Sequence, residues 1–562
     1  MVNSLASTLL LPDPRKYATD APTPAWFIVL ALAMGTALGA LAPRTGQAGI
    51  DGALVLAGIV QYPPDAPMGQ YFRDSWTIIH QGGALLLRAG LDQSHLGTLL
   101  TIFPRAISVG GYAMIFHGFT QRPWFSLCAA LLCFLAFFSN PVDQFFASSA
   151  YPLPGYYAFW AHVGVIWVIG CLAAGRTALT GFSALVLITI HPIIGLYAVS
   201  LLAVTLLLAR LYFRLDLRGY LKGAALGAGF VMLSFAVFLT MHSGFSAATD
   251  QTLYDVYTRL WDIHRDRPMT GLDALRVGLA AIFGIIGLAA FLRFGRPKQI
   301  SCVLATGLVM LAVVASTAAY FATYLIPQYL PEVFLRTMPA RLLNVHAYAA
   351  LPVAAAVLAC FADRFGPPVR RPEEPSSAHS ILANHARERF ALLAILVALG
   401  VACVPARLRG SAIVGVAGRD EASPTAIEAF WRDVRGKHTH GMVLTSVRSS
   451  DMSLRFGHLA IALDISSFDF VPYQPYTVAA VARIIEHGYG IPFADPPPDL
   501  PRNAPLPDDA GRAYWAQLAP NDWCQISRII GVTAVVAPRD WTVNLQPGVT
   551  GPQFTYYAIP CG

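Results

Sequence analysis

The sequence predicts an α-helical polytopic membrane protein with a C-terminal extracytoplasmic α/β domain. Of its 562 residues 55% are hydrophobic and only 13% are charged, against roughly 45–50% and 25% in an ordinary soluble domain. Apolar runs long enough to cross a bilayer recur about eleven times before Arg407, and the chain beyond that residue is more polar. This composition argues against a water-soluble enzyme.

The predicted spans are runs of roughly 17–25 mostly apolar residues. His191-Pro192 breaks one long apolar stretch into two helices, because proline disfavours helical backbone at the preceding residue. Glycines in 223–229 indicate close helix packing within a span rather than a nucleotide loop. The spans lie near 26–43, 97–117, 124–139, 156–174, 177–190, 194–211, 221–241, 276–293, 300–324, 342–362 and 390–406.

The distribution of Arg and Lys predicts the topology, because cytoplasmic loops carry the excess of positive charge. Basic residues concentrate in the segment 1–25 and then in alternate loops, near 122, 176, 210–222, 293–298 and 364–389. The other loops, near 44–96, 140–155, 242–275 and 325–341, are expected to face outward with the C-terminal domain. The net charge of +7 thus reflects membrane topology, and no nucleic-acid partner is expected.

The chain is therefore divided into a cytoplasmic segment 1–25, a transmembrane domain 26–406 with a long first external loop 44–96, and an extracytoplasmic domain 407–562. In the last part, β-like runs at 442–445, 459–463 and 532–537 alternate with helical stretches near 424–435 and 477–488. This alternation predicts a small α/β domain.

The first external loop supplies the candidate catalytic residues, Asp51, Asp65 and Asp74. Prolines surround Asp65 and stiffen its backbone, and an amphipathic stretch at 76–95 carries His80. A carboxylate held rigidly near the membrane surface can act as a general base or bind a divalent cation. The alternative is a set of solvated turn residues. The sequence has no Cys/His cluster with the spacing of a structural metal site.

Further polar residues fit a substrate site facing outward. Arg105 lies inside a span, where a charge is costly unless it is paired or faces the bundle interior. Guanidinium groups pair well with phosphate. The structural alternatives are helix packing, snorkelling to ordinary headgroups and an interfacial aromatic belt. The candidate substrate-binding residues are Arg105, His80, His191, His264, Arg265, Arg336, Arg341, His346 and Tyr151.

Cysteine placement predicts one disulfide bond. Six of the eight cysteines fall within apolar spans, whereas Cys524 and Cys561 lie in the tail, which is expected to face an oxidising compartment. Closing a loop of 36 residues would contribute about 3–4 kcal/mol. The alternative is two unrelated thiols, since a bond requires Cα atoms closer than about 7 Å.

The many helices, the long first external loop with aspartates and the polar C-terminal α/β domain together resemble the GT-C superfamily of membrane glycosyltransferases. The loop carries single aspartates rather than an acidic pair, because Asp51 is followed by Gly52. The resemblance implies a polyprenyl-phosphate sugar donor and a glycan or lipid acceptor. It also implies a bacterial inner (plasma) membrane location with a cytoplasmic N-terminus and a periplasmic C-terminal domain.

The leading hypothesis is inverting transfer of a sugar to an extracytoplasmic acceptor of the cell envelope, with Asp65 as base and Arg341 and Arg105 at the phosphate. The sequence assigns no cofactor, and it leaves a divalent cation as an option. The alternatives are a polymerase or ligase of lipid-linked glycans, a transporter, and an envelope assembly partner without catalytic activity. Against the transporter, polar groups gather on one side rather than at the midplane.

Overall fold

The computed structural model describes residues 22–41, 48–138, 157–242, 247–262, 299–331, 424–464, 470–498 and 506–561, with a few single residues between these ranges. These residues fall into two compact units. We call residues 1–47, 97–235 and 269–416 the helical unit, and residues 48–96, 236–268 and 417–562 the α/β unit.

Most of the predicted membrane spans correspond to helices in the structure. Eight predicted spans coincide with helices, and four of these are long and apolar enough to cross a membrane: Gln93–Thr120, Pro192–Phe213, Arg218–Met241 and Ile300–Leu325. The spans predicted at 276–293, 342–362 and 390–406 lie wholly or largely outside the described residues, so the total of eleven stays a prediction. The helices are α1 Ala25–Leu41, α5 Gln93–Thr120, α6 Pro123–Phe138, α7 Tyr157–Ala173, α8 Thr177–Ile190, α9 Pro192–Phe213, α10 Arg218–Met241 and α12 Ile300–Leu325.

Small residues bring the helices of this unit together. A Cβ atom on Gly223 of α10 would overlap the carbonyl oxygen of Ala178 in α8, and one on Gly227 would lie 2.9 Å from the carbonyl oxygen of Phe182. The predicted packing role is confirmed for Gly223 and Gly227, whereas a Cβ on Gly229 would meet nothing within 4 Å. His191 ends α8 and caps α9 by accepting a hydrogen bond from the backbone N–H of Ile194, as the break at Pro192 predicts.

The α/β unit takes three helices from the first loop: α2 Ala48–Leu56, α3 Pro67–Asp74 and α4 Ile78–Arg88. Glycine allows α2 and α4 to pack closely, since a Cβ on Gly83 would lie 2.8 Å from that of Ala53. The other helices of the unit are α11 Gln251–Val256, α13 Pro424–Lys437, α14 Ser450–Arg455, α15 Val478–Arg483, α16 Arg512–Gln517 and α17 Pro520–Ile530.

Five strands form one mixed sheet in the order β2-β1-β3-β5-β4. The strand β1 runs parallel to β2 and β3, and β5 runs antiparallel to β3 and β4. Phe430 and Trp431 of α13 pack with Val443, Val536 and other buried apolar residues of the sheet. The strands are β1 Met442–Thr445, β2 Ala460–Ile461, β3 Val532–Pro538, β4 Pro547–Thr550 and β5 Phe554–Ala558.

The α/β unit is assembled from three segments that are far apart in sequence, whereas sequence analysis divides the chain once, near Arg407. Contacts within the structure group residues 48–96 with the tail, in the α/β unit, rather than with the helical unit. One compact unit cannot straddle a bilayer, so we expect the three segments to lie on one side of the membrane. Which side they occupy stays a prediction.

Candidate functional site

The turn between α3 and α4 holds Asp74 in a fixed position within the α/β unit. The Ser75 hydroxyl donates to the carbonyl of Tyr71 at 2.6 Å, which closes the last turn of α3. Gln81 donates to the carbonyl of Ser75 at 2.9 Å and accepts from the N–H of Thr77 at 3.0 Å. These bonds satisfy the backbone of the turn directly beside Asp74, so the carboxylate sits on a rigid support.

Asp74 is the point where the three segments of the α/β unit meet. Its Oδ1 lies 2.9 Å from Nδ1 of His242, the residue that directly follows α10. Its Oδ2 accepts a hydrogen bond of 2.8 Å from the hydroxyl of Tyr476 in the tail. The Asp74 side chain is 9% exposed and that of His242 is 35% exposed. The carboxylate is thus covered while the imidazole reaches solvent.

The electrostatics of the site fix the hydrogen-bond role of Tyr476. Burial raises the pKa of Tyr476 well above its usual range, and the adjacent Asp74 carboxylate raises it further. The phenol therefore stays protonated and donates. A carboxylate only accepts hydrogen bonds, so Nδ1 of His242 is the donor towards Asp74.

This arrangement can take up a proton. In a neutral imidazole one nitrogen carries the hydrogen and the other is an acceptor. With Nδ1 donating to Asp74, the lone pair lies on Nε2, and the carboxylate stabilises the imidazolium that forms on protonation. We call Asp74, His242 and Tyr476 the carboxylate–histidine site.

Asp51, by contrast, has a structural partner. Its two carboxylate oxygens accept bonds of 2.8 and 3.0 Å from Nε and Nη2 of Arg455 at the end of α14. Burial raises the pKa of Asp51 to about 7, and the guanidinium opposes this shift. Gln93 donates to the carbonyl of Arg455 at 2.8 Å. This pair ties the first loop to the tail within the α/β unit.

Asp65 lies exposed in a turn before α3. That turn is held through its neighbours, because Gln70 donates to the carbonyl of Pro64 at 3.1 Å. His80 is 2% exposed and packs against α2, where a Cβ on Gly52 would overlap its ring. Burial lowers the pKa of His80 to about 4, so this imidazole is neutral at pH 7.

In the helical unit, Arg105 and His191 are buried. Nη1 of Arg105 donates to the carbonyl of Thr101, one turn earlier in α5, at 2.7 Å. The expected inward orientation of Arg105 agrees with its burial, while its substrate role stays a prediction. The remaining candidates lie outside the described residues: His264, Arg265, Arg336, Arg341, His346 and Tyr151.

Cys524 and Cys561 form a disulfide bond, with their Cα atoms 5.6 Å apart. The bond joins α17 to the residues after β5. Within the described ranges, no group of three or more His, Cys, Asp or Glu side chains is placed to hold a metal ion.

Sequence reasoning missed His242 and Tyr476. A histidine directly after the predicted span 221–241 is a signal that could have been used, because it places an imidazole where a helix leaves the membrane. Tyr476 gives a weaker signal, a tyrosine next to Pro475. Nothing in the sequence relates either residue to Asp74.

A scan against protein-family models finds no match, and a search of curated proteins finds none. Among solved structures, the chain is similar to the archaeal oligosaccharyltransferase AglB from Archaeoglobus fulgidus, solved in complex with an inhibitory peptide and a dolichol-phosphate. The identity is 11% and the TM-score 0.44, covering 92% of this chain and 69% of that chain. AglB is a member of the GT-C superfamily.

Proposed function

We propose that the protein is a membrane glycosyltransferase that moves a sugar from a polyprenyl-phosphate donor to an acceptor hydroxyl on the extracytoplasmic side. His242 is the general base and Asp74 orients it. The observation that carries this proposal is the contact of 2.9 Å between the buried Asp74 carboxylate and Nδ1 of the partly exposed His242. A base oriented by a carboxylate is a common arrangement for removing a proton from a hydroxyl group.

The position of His242 suits a lipid-linked donor. The residue follows α10, one of the four helices that meet the length and composition of a span, so its ring is expected near the level of the lipid headgroups. A donor anchored by its polyprenyl chain presents its phosphate and sugar at that level. Asp65, which the sequence favoured as the base, lies exposed in a turn, unlike the covered Asp74 beside His242.

The proposed step balances as a single displacement. The acceptor oxygen attacks the anomeric carbon of the donor sugar while its proton passes to Nε2 of His242. The bond between that carbon and the phosphate oxygen breaks, and polyprenyl phosphate leaves with the electron pair. The configuration at the anomeric carbon inverts. Arg341 and Arg105 stay sequence-based candidates for phosphate binding, because guanidinium pairs well with phosphate oxygens.

The test compares matched variants in a strain that lacks the chromosomal copy. Lipid and envelope glycan extracts are analysed by mass spectrometry to find the product that disappears and returns with the wild-type protein. Asp74→Asn and His242→Gln are expected to lower its formation by about 10²–10⁴-fold, while Asp65→Asn leaves it unchanged. Equal amounts of extracted protein with similar melting temperatures show that folding is preserved.

Each outcome of this experiment distinguishes between functional hypotheses. Loss of product in Asp65→Asn with full activity in Asp74→Asn would return the base to Asp65. Unchanged product in all three variants would favour an assembly partner without catalysis. If the glycan that disappears is one sugar larger than its precursor, the result supports transfer of a single sugar. If a polymer disappears, the result supports the polymerase or ligase hypothesis.

A further inference from the structure

We propose that one face of α4 lies in the headgroup region of the membrane and binds lipid directly. We call this face, formed by Ile78, Gly82, Leu85, Leu86 and Ala89, the lipid face. Its residues follow the spacing of one side of a helix, and none of them is polar. The occupant that we infer is the bilayer surface itself.

The lipid face is left uncovered because the opposite side of α4 is already packed. Ile79, His80, Gly83 and Ala84 are buried, and the glycine contacts with α2 leave no room to rotate the helix. Leu85 and Leu86 are consequently 47% and 43% exposed. A packed helix whose outer side is also apolar is typical of an element with a second apolar environment.

The exposed leucines lie on the same helix as a cationic side chain, Arg88. Arg88, exposed at the end of α4, donates to the carbonyl of Leu56 at the end of α2. This bond brings the end of α4 beside the chain that leaves α2, where Ile59 is 40% exposed. A contiguous apolar patch on a folded unit marks an interaction surface. A bordering guanidinium matches the phosphate of a lipid headgroup.

Continuity with the membrane identifies lipid as the occupant. Only residues 89–92 separate α4 from α5, a helix of 28 residues that qualifies as a span. Five residue steps reach at most about 18 Å, so the end of α4 cannot lie far from the point where α5 enters the bilayer. Interfacial helices bury an apolar face about 5–10 Å into the boundary between headgroups and acyl chains.

This contact would set the depth of the carboxylate–histidine site. α4 begins four residues after Asp74, and the turn between them is held by the bonds of Gln81 and Ser75. An anchored α4 therefore fixes the height of Asp74 above the membrane. The inference rests on exposure and topology and holds whether or not the protein transfers a sugar.

The test measures depth by spin labelling of the full-length protein in vesicles of phosphatidylcholine and phosphatidylglycerol. Leu86→Cys and Ile529→Cys each receive a nitroxide, in a background where the six cysteines outside the disulfide are serine. Ile529, 41% exposed in α17, is the matched control. Collision rates with oxygen, which concentrates in lipid, and with a water-soluble nickel complex are then compared.

We expect the label at position 86 to collide several-fold more with oxygen than with the nickel complex, and the label at 529 to show the reverse. A label at 86 that is as accessible to nickel as the control would overturn the proposal. A label shielded from both reagents would also overturn it, because the face would then be covered by protein. Preserved disulfide formation and melting temperature exclude misfolding of either variant.

Discussion

Three titratable residues of the first loop behave differently because burial acts on each in a different setting. His80 is buried among apolar groups, so its pKa falls to about 4. Asp51 is buried beside a guanidinium, so a raised pKa of about 7 is opposed by its partner. Asp74 is covered but contacts a histidine that reaches solvent. Only the last arrangement leaves a group able to exchange protons with a substrate.

At the residue scale, His80 is expected to make the protein sensitive to acid. Between its folded pKa of about 4 and its ordinary value near 6.5, the unfolded chain binds a proton that the folded chain does not. Lowering the pH through this window therefore favours unfolding, by up to about 3 kcal/mol for a shift of this size.

The measurement for His80 is melting temperature against pH in detergent for the wild type and His80→Gln. Their difference isolates His80, because any contribution of Asp51 is common to both proteins. The wild type should lose more stability than the variant between pH 6.5 and 4. Parallel curves for wild type and His80→Gln would contradict the assignment.

Asp51→Asn is expected to destabilise the α/β unit by about 3 kcal/mol, because breaking a buried pair leaves the guanidinium of Arg455 without its bidentate partner. The comparison is Asp508→Asn, which removes the partner of Arg448 in a pair that is about half exposed. Exposed pairs contribute at most about 1 kcal/mol. Denaturant unfolding of the full chain measures both. Equal effects would mean that the buried pair is no stronger than the exposed one.

At the element scale, the packing of α8 against α10 depends on the absence of a side chain at one position. Gly223→Ala places a methyl group against the carbonyl of Ala178, and overpacking of this kind costs about 1–3 kcal/mol. Gly229→Ala is the matched control in the same helix, since a Cβ there meets nothing within 4 Å. We expect only Gly223→Ala to lower the melting temperature. A drop in both would show that the loss does not come from the contact with Ala178, since alanine favours a helix more than glycine does.

Some helices and strands could be predicted from the sequence, and others could not. Spans such as α9 and α10 follow from composition and length, and β1 and β3 follow from short buried apolar runs. β4 was not predicted, because Pro547-Gly-Val-Thr lacks the alternation of apolar and polar residues that is typical of a strand. It lies at the edge of the sheet. The helices of the first loop were mostly missed, because short helices depend on tertiary packing rather than on propensity.

At the scale of the whole molecule, the site depends on contacts that no local pattern predicts. The Asp74–Tyr476 pair is separated by 402 residues, and the Asp51–Arg455 pair by 404. The sequence indicates the three aspartates and the charge alternation and favours Asp65 as the base, whereas the structure gives Asp74 the histidine partner. The choice depends on which carboxylate meets a partner when distant segments fold together.

The composition of the α/β unit leads to a prediction for topology. Its three segments are expected to share one side of the membrane, and the bias of Arg and Lys predicts that this side is outward. Single cysteines at Ser94, Thr252 and Thr542, one in each segment and all exposed, should react with an impermeant maleimide in intact cells. A cysteine at Asp216, in the predicted cytoplasmic loop between α9 and α10, should react only after permeabilisation. Protection of the first three with reaction at 216 would reverse the orientation, and a split among the first three would refute the unit itself.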